Sequence, residues 1–122
     1  MSAKINYGSD IEKAIKSVNV VLADLRLMVS SCMLGALPPY ECNEISYSSN
    51  FTFGGPQGLV VHVAATGGKS RWEFEFDLAG STNVASAVWV SRHDGIGKPS
   101  LREHCKFSHT ELVETVSRMA AK

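Results

Sequence analysis

The densest group of metal-capable side chains is His104-Cys105 with His109, and His93 lies upstream. Zinc takes thiolates and neutral imidazoles in a tetrahedral set. Cys105 and His109 have a Cys-x3-His spacing that supplies two ligands, but no CxxC pair stands elsewhere to complete the set. His109 reads better as a first-turn residue of a last helix, and Cys105 as an inward residue of a short strand. No metal site and no cofactor is assigned.

A cysteine nucleophile needs a histidine within hydrogen-bond reach and a third group to orient it. Cys42 follows Pro38-Pro39-Tyr40-Glu41. It is expected in a loop as the most accessible thiol, where His62 or His93 could approach it. A free loop thiol or a buried structural one is the commoner outcome. The segment His93-Asp94-Gly95-Ile96-Gly97-Lys98-Pro99-Ser100 has the glycines and lysine of a phosphate loop but not its spacing. The motif GxxxxGK[ST] runs from a strand straight into a helix. Here Arg92 occupies the leading glycine position, Pro99 replaces the hydroxyl residue, and no helix follows at once. What remains is a polar loop at a strand end, with Arg92 and His93 its contact candidates.

The aromatics Phe51, Phe53, Trp72, Phe74 and Phe76 could be compared with stacking platforms for single-stranded nucleic acid. Those platforms need solvent-facing rings flanked by cations. Here the rings share an inward parity, so a core is the better reading. Lysine plus arginine (12) equals aspartate plus glutamate (12). Phosphate binding thereby loses its main electrostatic term, and no nucleic-acid partner is expected.

The elements that carry these residues follow from periodicity. Ser9-Asp10-Ile11-Glu12 has the form of a capping box. Ile11, Ile15, Val18, Leu22, Leu25 and Val29 then recur on one helical face. Gly35 and Pro38-Pro39 end the run, which predicts a helix over 10–34 about 37 Å long. After Pro39 the period becomes two. Ile45, Tyr47, Phe51 and Phe53 alternate with Ser46, Ser48, Asn50 and Thr52, predicting a strand with one buried face. Turns at 54–58 and 66–69 bound a second strand over 59–65. The third strand puts Trp72, Phe74, Phe76 and Leu78 on one side and Arg71, Glu73, Glu75 and Asp77 on the other. A turn at 80–83 precedes a fourth strand over 84–92, and 101–107 suits a short fifth one. Ser108-His109-Thr110-Glu111 is a second capping box, with Phe107 placed to staple onto Leu112. The predicted fold is α+β: a two-layer sandwich of a four- or five-stranded antiparallel meander, with the long N-terminal helix and the C-terminal helix on one face.

The chain has 122 residues, 44% apolar and 20% charged, which suits a single domain over 1–122. Residues 18–34 are apolar but interrupted by Asn19, Asp24 and Arg26, so no membrane span is expected. No signal peptide is expected either, and three cysteines without CxxC spacing point to reduced thiols and a cytoplasmic location.

Two apolar sets exceed what this sandwich needs. Val20, Val21, Leu27 and Met28 widen the arc of the long helix beyond its core face. On the open sheet face, Val60, His62 and Ala64 would lie near an outward Trp89, provided that Val84, Val88 and Val90 point inward. Anchors of this kind serve protein interfaces. The order of elements resembles, in architecture and in no motif, small secretion chaperones and immunity proteins that neutralise bacterial toxins. That resemblance implies action by surface complementarity. The expectation is a non-enzymatic accessory, inhibitor or immunity-type protein that binds a protein partner, as a homodimer. The alternative is a small-ligand or minor thiol/hydrolase site between sheet and helices, using Cys42, His62, Arg92 and His93.

Overall fold

The computed structural model describes residues 7–53, 58–79 and 83–122, with the backbone path alone at 7–17, 53, 58, 79 and 83–86. Its elements are α1 (Tyr7–Ala36), α2 (Pro39–Cys42), β1 (Ser46–Phe53), β2 (Gly58–Thr66), β3 (Arg71–Ala79), β4 (Asn83–His93), β5 (Leu101–Lys106) and α3 (His109–Ala120). Of the turns expected at 54–58 and 80–83, residues 54–57 and 80–82 lie outside the described residues, as do the side chains of Ile11, Ile15, Phe53, Val84 and Ala85, while Gly58 and Asn83 begin strands.

The five strands form one antiparallel sheet in the order β1-β2-β3-β4-β5. Strict alternation in β3 sets its two faces. Trp72, Phe74, Phe76 and Leu78 are buried beneath the helices, while Glu73 and Glu75 look to the open side. Register carries the pattern sideways: Phe74 faces Val63 on β2 and Val90 on β4. Between the Phe76–Val88 and Leu78–Val84 pairs β3 advances two residues and β4 advances four. A shift of two leaves parity unchanged along β4, so Val88 and Val90 stay fully buried.

The long helix α1 lies over β1 and β2, α3 lies over β5 and β4, and the two helices pack on one another. Leu25, Val29, Cys32 and Met33 of α1 and Leu112, Val116 and Met119 of α3 complete the core. Gly35 lets the helices close up, since a Cβ there would press on Val113 at 3.3 Å. Two polar contacts identify the flanks of α1. Arg26 donates to Ser49 Oγ of β1 at 3.0 Å on one side, and Ser31 bonds His109 of α3 at 3.0 Å on the other.

The helix ends depart from the sequence pattern in instructive ways. The first helix is already under way at Tyr7, so Ser9 is inside it rather than at its cap. At α3 the Ser108 hydroxyl accepts from the Glu111 amide at 3.1 Å, as a serine cap should. The reciprocal half is missing, because the Ser108 amide donates to the Lys106 carbonyl instead. Phe107 meets Phe76 edge-on at 5.9 Å. Phe51 has the inward parity of Tyr47, but it is 41% exposed near the end of the outermost strand.

The β2–β3 turn depends on Gly67, whose φ of +102° disfavours any side chain. A Cβ there would also collide with the Glu44 carbonyl oxygen. Gly67→Ala is therefore expected to cost about 2 kcal/mol, read as a lower urea midpoint at unchanged m-value. A wild-type midpoint would show that the hairpin can relax around the methyl group.

Candidate interaction surface

Seven residues make two helical turns, so a seven-residue spacing returns nearly to the same side of a helix. Val20, Leu27 and Leu34 have that spacing on the back of α1 and are 58%, 67% and 61% exposed. Asp24 and Ser31 lie between them and are also exposed. Val21 and Met28, expected in the same free arc, are half-buried against the core. The apolar surplus of α1 is thus a narrow stripe. Leu34 belongs to it and was assigned only to the helix end; its seven-residue spacing from Leu27 was the available signal.

The same helix contains a window, Val18–Ala36, with a mean hydropathy of 1.5, of which 22% is buried. By length and composition it is apolar enough to cross a membrane, although Asp24 and Arg26 interrupt it. Its inner face is already occupied, since Leu25, Val29, Cys32 and Met33 pack on the sheet.

The open sheet face carries Val60, His62, Ala64 and Trp89, all partly buried. Trp89 is covered by its own neighbours on β5: the His104 ring stacks on it at 4.4 Å and the Arg102 guanidinium sits 4.1 Å from its centroid. Arg102 also pairs with Glu75 at 3.4 Å, and Arg71 with Glu73 at 2.9 Å. His62 bonds the Thr52 hydroxyl at 3.2 Å. Most of the polar groups on this face are therefore spent on one another. His93 is only 7% exposed, and its Nε2 lies 3.7 Å from the Glu73 carboxylate. Neither ring nitrogen has a hydrogen-bond partner.

The ligand candidates do not converge. Cys42 is not a loop thiol: Pro39 starts the short helix α2, which turns Cys42 inward to 8% exposure. Its Sγ donates to the Met33 carbonyl at 3.4 Å. His62 and His93 have outward parity on β2 and β4, far from this contact with α1. Arg92 alone lines a cleft of about 230 Å³, together with Lys69, Ser70, Trp72, Asp94 and Lys122. There it donates to the Met119 carbonyl at the end of α3 and, at 2.9 Å, to Asp94 Oδ2. A wider groove of about 740 Å³ runs between β5 and α3, past Cys105, Thr115 and Arg118. Among the described residues, no group of three or more His, Cys, Asp or Glu is placed to hold a metal ion.

Burial raises all three thiols, Cys32 to about 11 with a further push from Cys105. Burial, and then the proximity of Cys42, raises Tyr47 to about 12. The fold therefore favours the neutral forms. Unfolded chain loses its thiol protons first, from an ordinary value of 9.0, so the stabilisation is complete below that pH. It is lost as pH rises towards about 11, costing roughly 2 kcal/mol through Cys32. Urea denaturation between pH 8 and pH 11 should show this fall in wild type, and a shallower one in Cys32→Ala. Equal slopes would exclude Cys32 as the cause.

Comparison with protein-family models, with curated proteins and with solved structures finds no match for this chain.

Proposed function

We propose that this chain is a non-enzymatic, cytosolic protein-binding module of the accessory, inhibitor or immunity type, and that it works as a homodimer. The observation that carries the reading is the stripe of Val20, Leu27 and Leu34, each more than half exposed on the back of α1. Three large aliphatic side chains repeat at seven-residue spacing along one line of the helix, a regularity that singly scattered surface apolars would not show. Helices bury such stripes against one another with the seven-residue repeat of a coiled-coil seam. The dispersal of Cys42, His62 and Arg92 over separate parts of the fold favours recognition over thiol or hydrolase chemistry.

The deciding measurement is the mass in solution across a dilution series, with lipid vesicles as a parallel arm. A species of twice 13.2 kDa that dissociates on dilution supports the reading. A monomer at every concentration, or co-sedimentation with vesicles in place of self-association, overturns it.

A further inference from the structure

The cleft of about 230 Å³ lies at one end of the sandwich, between α2, the β2–β3 turn and the ends of β4 and α3. Polar contacts tie its frame together. The Ser70 hydroxyl donates to Asp94 Oδ1 at 2.7 Å, and Arg92 joins Asp94 to the Met119 carbonyl. Gly68 brings the turn against Ile45 and α2: a Cβ there would stand 3.1 Å from Ile45 Cγ1 and 3.8 Å from the Glu41 carbonyl oxygen. Ligand sites are usually pre-formed in this way.

The charged groups on its walls divide into two sets. Arg92 is paired with Asp94, and Lys122 reaches Glu103 at 3.4 Å. Among the described residues, neither Lys69 nor Glu41 has an ion-pair or side-chain hydrogen-bond partner. Lys69 is exposed on the turn and Glu41 half-buried on α2. Most of the remaining lining is apolar, supplied by Leu37, Ile45, Trp72 and Ala120.

We propose that this cleft binds a free α-amino acid with an apolar side chain, its carboxylate on Lys69, its ammonium on Glu41 and its side chain against Trp72 and Ile45. Three properties select that class. The volume falls below the roughly 300–1,000 Å³ of drug-sized ligand sites, so the occupant is small. The unpaired charges are one of each sign. A simple anion would face the Glu41 carboxylate and a simple cation the Lys69 ammonium, and like charges repel. The apolar lining favours a side chain that leaves water on binding. The site is complete within one subunit, so it stands apart from the homodimer reading and adds a small ligand to a protein-binding module.

L-Leucine is the probe, titrated into the isotope-labelled full chain and followed by NMR. The amides of Lys69 and Ser70 and the Trp72 indole N–H should shift saturably, while the indole of Trp89 on the open face stays unmoved. Isocaproate, which lacks the ammonium, and leucinamide, which lacks the carboxylate, should each bind about tenfold more weakly, the share of one charge-assisted contact. Glu41→Gln should erase the preference for leucine over isocaproate, and Lys69→Met the preference over leucinamide. Neither side chain holds another group of the fold, so both variants should keep the wild-type far-UV spectrum. Absence of saturable shifts at the cleft overturns the proposal. Isocaproate binding as tightly as leucine also overturns it, making the site one for plain carboxylates, and so does discrimination that survives both substitutions. The mass in solution decides the homodimer reading separately.

Discussion

Leu27→Asp is expected to yield a folded monomer, with self-association weakened by about a hundredfold or more. Leu27 is 67% exposed in the single subunit, so its replacement there touches little beyond helix propensity and should cost about 0.5 kcal/mol. In the proposed homodimer the same side chain would sit at the centre of the stripe, seven residues from Val20 and from Leu34. Burying a leucine contributes roughly 1.5–3 kcal/mol. An aspartate there forfeits that burial and also carries an unpaired carboxylate into the seam, so about 3 kcal/mol is a modest expectation. Each 1.4 kcal/mol is tenfold in the association constant. Leu27→Met, which preserves apolar volume, should keep the dimer. Sedimentation velocity over a dilution series reads both variants. If the aspartate variant shows the wild-type mass at every dilution, the stripe is not the seam.

Arg92→Met should destabilise the fold by about 3 kcal/mol, through the loss of two charge-assisted hydrogen bonds rather than of any ligand contact. The Arg92 side chain is 13% exposed and ties the end of α3 to the end of β4 through the Met119 carbonyl and Asp94. A cation at a helix C-terminus also complements the partial charge of the last carbonyls. Methionine fills much of the same space, so the comparison isolates the polar contacts. The buried Nε of Arg92 has no partner of its own. Its removal therefore relieves a small cost and keeps the expected loss below the sum of two full charged bonds. The effect should also depend on pH. The Ser70 hydroxyl, then Arg92, holds the Asp94 carboxyl below the usual carboxylate range. A depressed carboxylate stabilises the fold above its ordinary range, and that contribution is lost as pH falls through the folded value. The gap between wild type and Arg92→Met should accordingly narrow on acidification. Urea denaturation at neutral and acid pH measures it, and a gap independent of pH would rule out a share for Asp94.

Much of the architecture could be read directly from residue order, because local rules and tertiary packing agree there. In β3 the apolar positions Trp72, Phe74, Phe76 and Leu78 alternate with charge, and only one orientation of such a strand buries its apolar side. At Ser108 the cap and the apolar run after it point to the same helix start. The candidate surface was only half readable. Val20 and Val21 are adjacent valines, yet Val20 stays in water while Val21, about 100° further round the helix, packs against the core. Trp89 poses the same difficulty in another form. Its cover, Arg102 and His104, lies on β5, and cross-strand register is invisible in a single strand. Cys42 went astray because Pro38-Pro39 reads as an end, whereas the second proline also begins the turn of helix that buries the thiol. Arg92 is expected as a ligand contact because it borders a polar loop, and residue order does not show its bond to a backbone oxygen 27 residues away.

The strand order β1-β2-β3-β4-β5 has a kinetic consequence. Every strand pairs with its immediate predecessor, so the sheet can assemble hairpin by hairpin, each step closing only a short loop. The helix-to-helix contact is different, since Ser31 and His109 are separated by 78 residues. Docking α1 against α3 therefore belongs late in folding, after the meander has brought the chain halves together. Changes at that seam should register in how fast the protein comes apart far more than in how fast it forms.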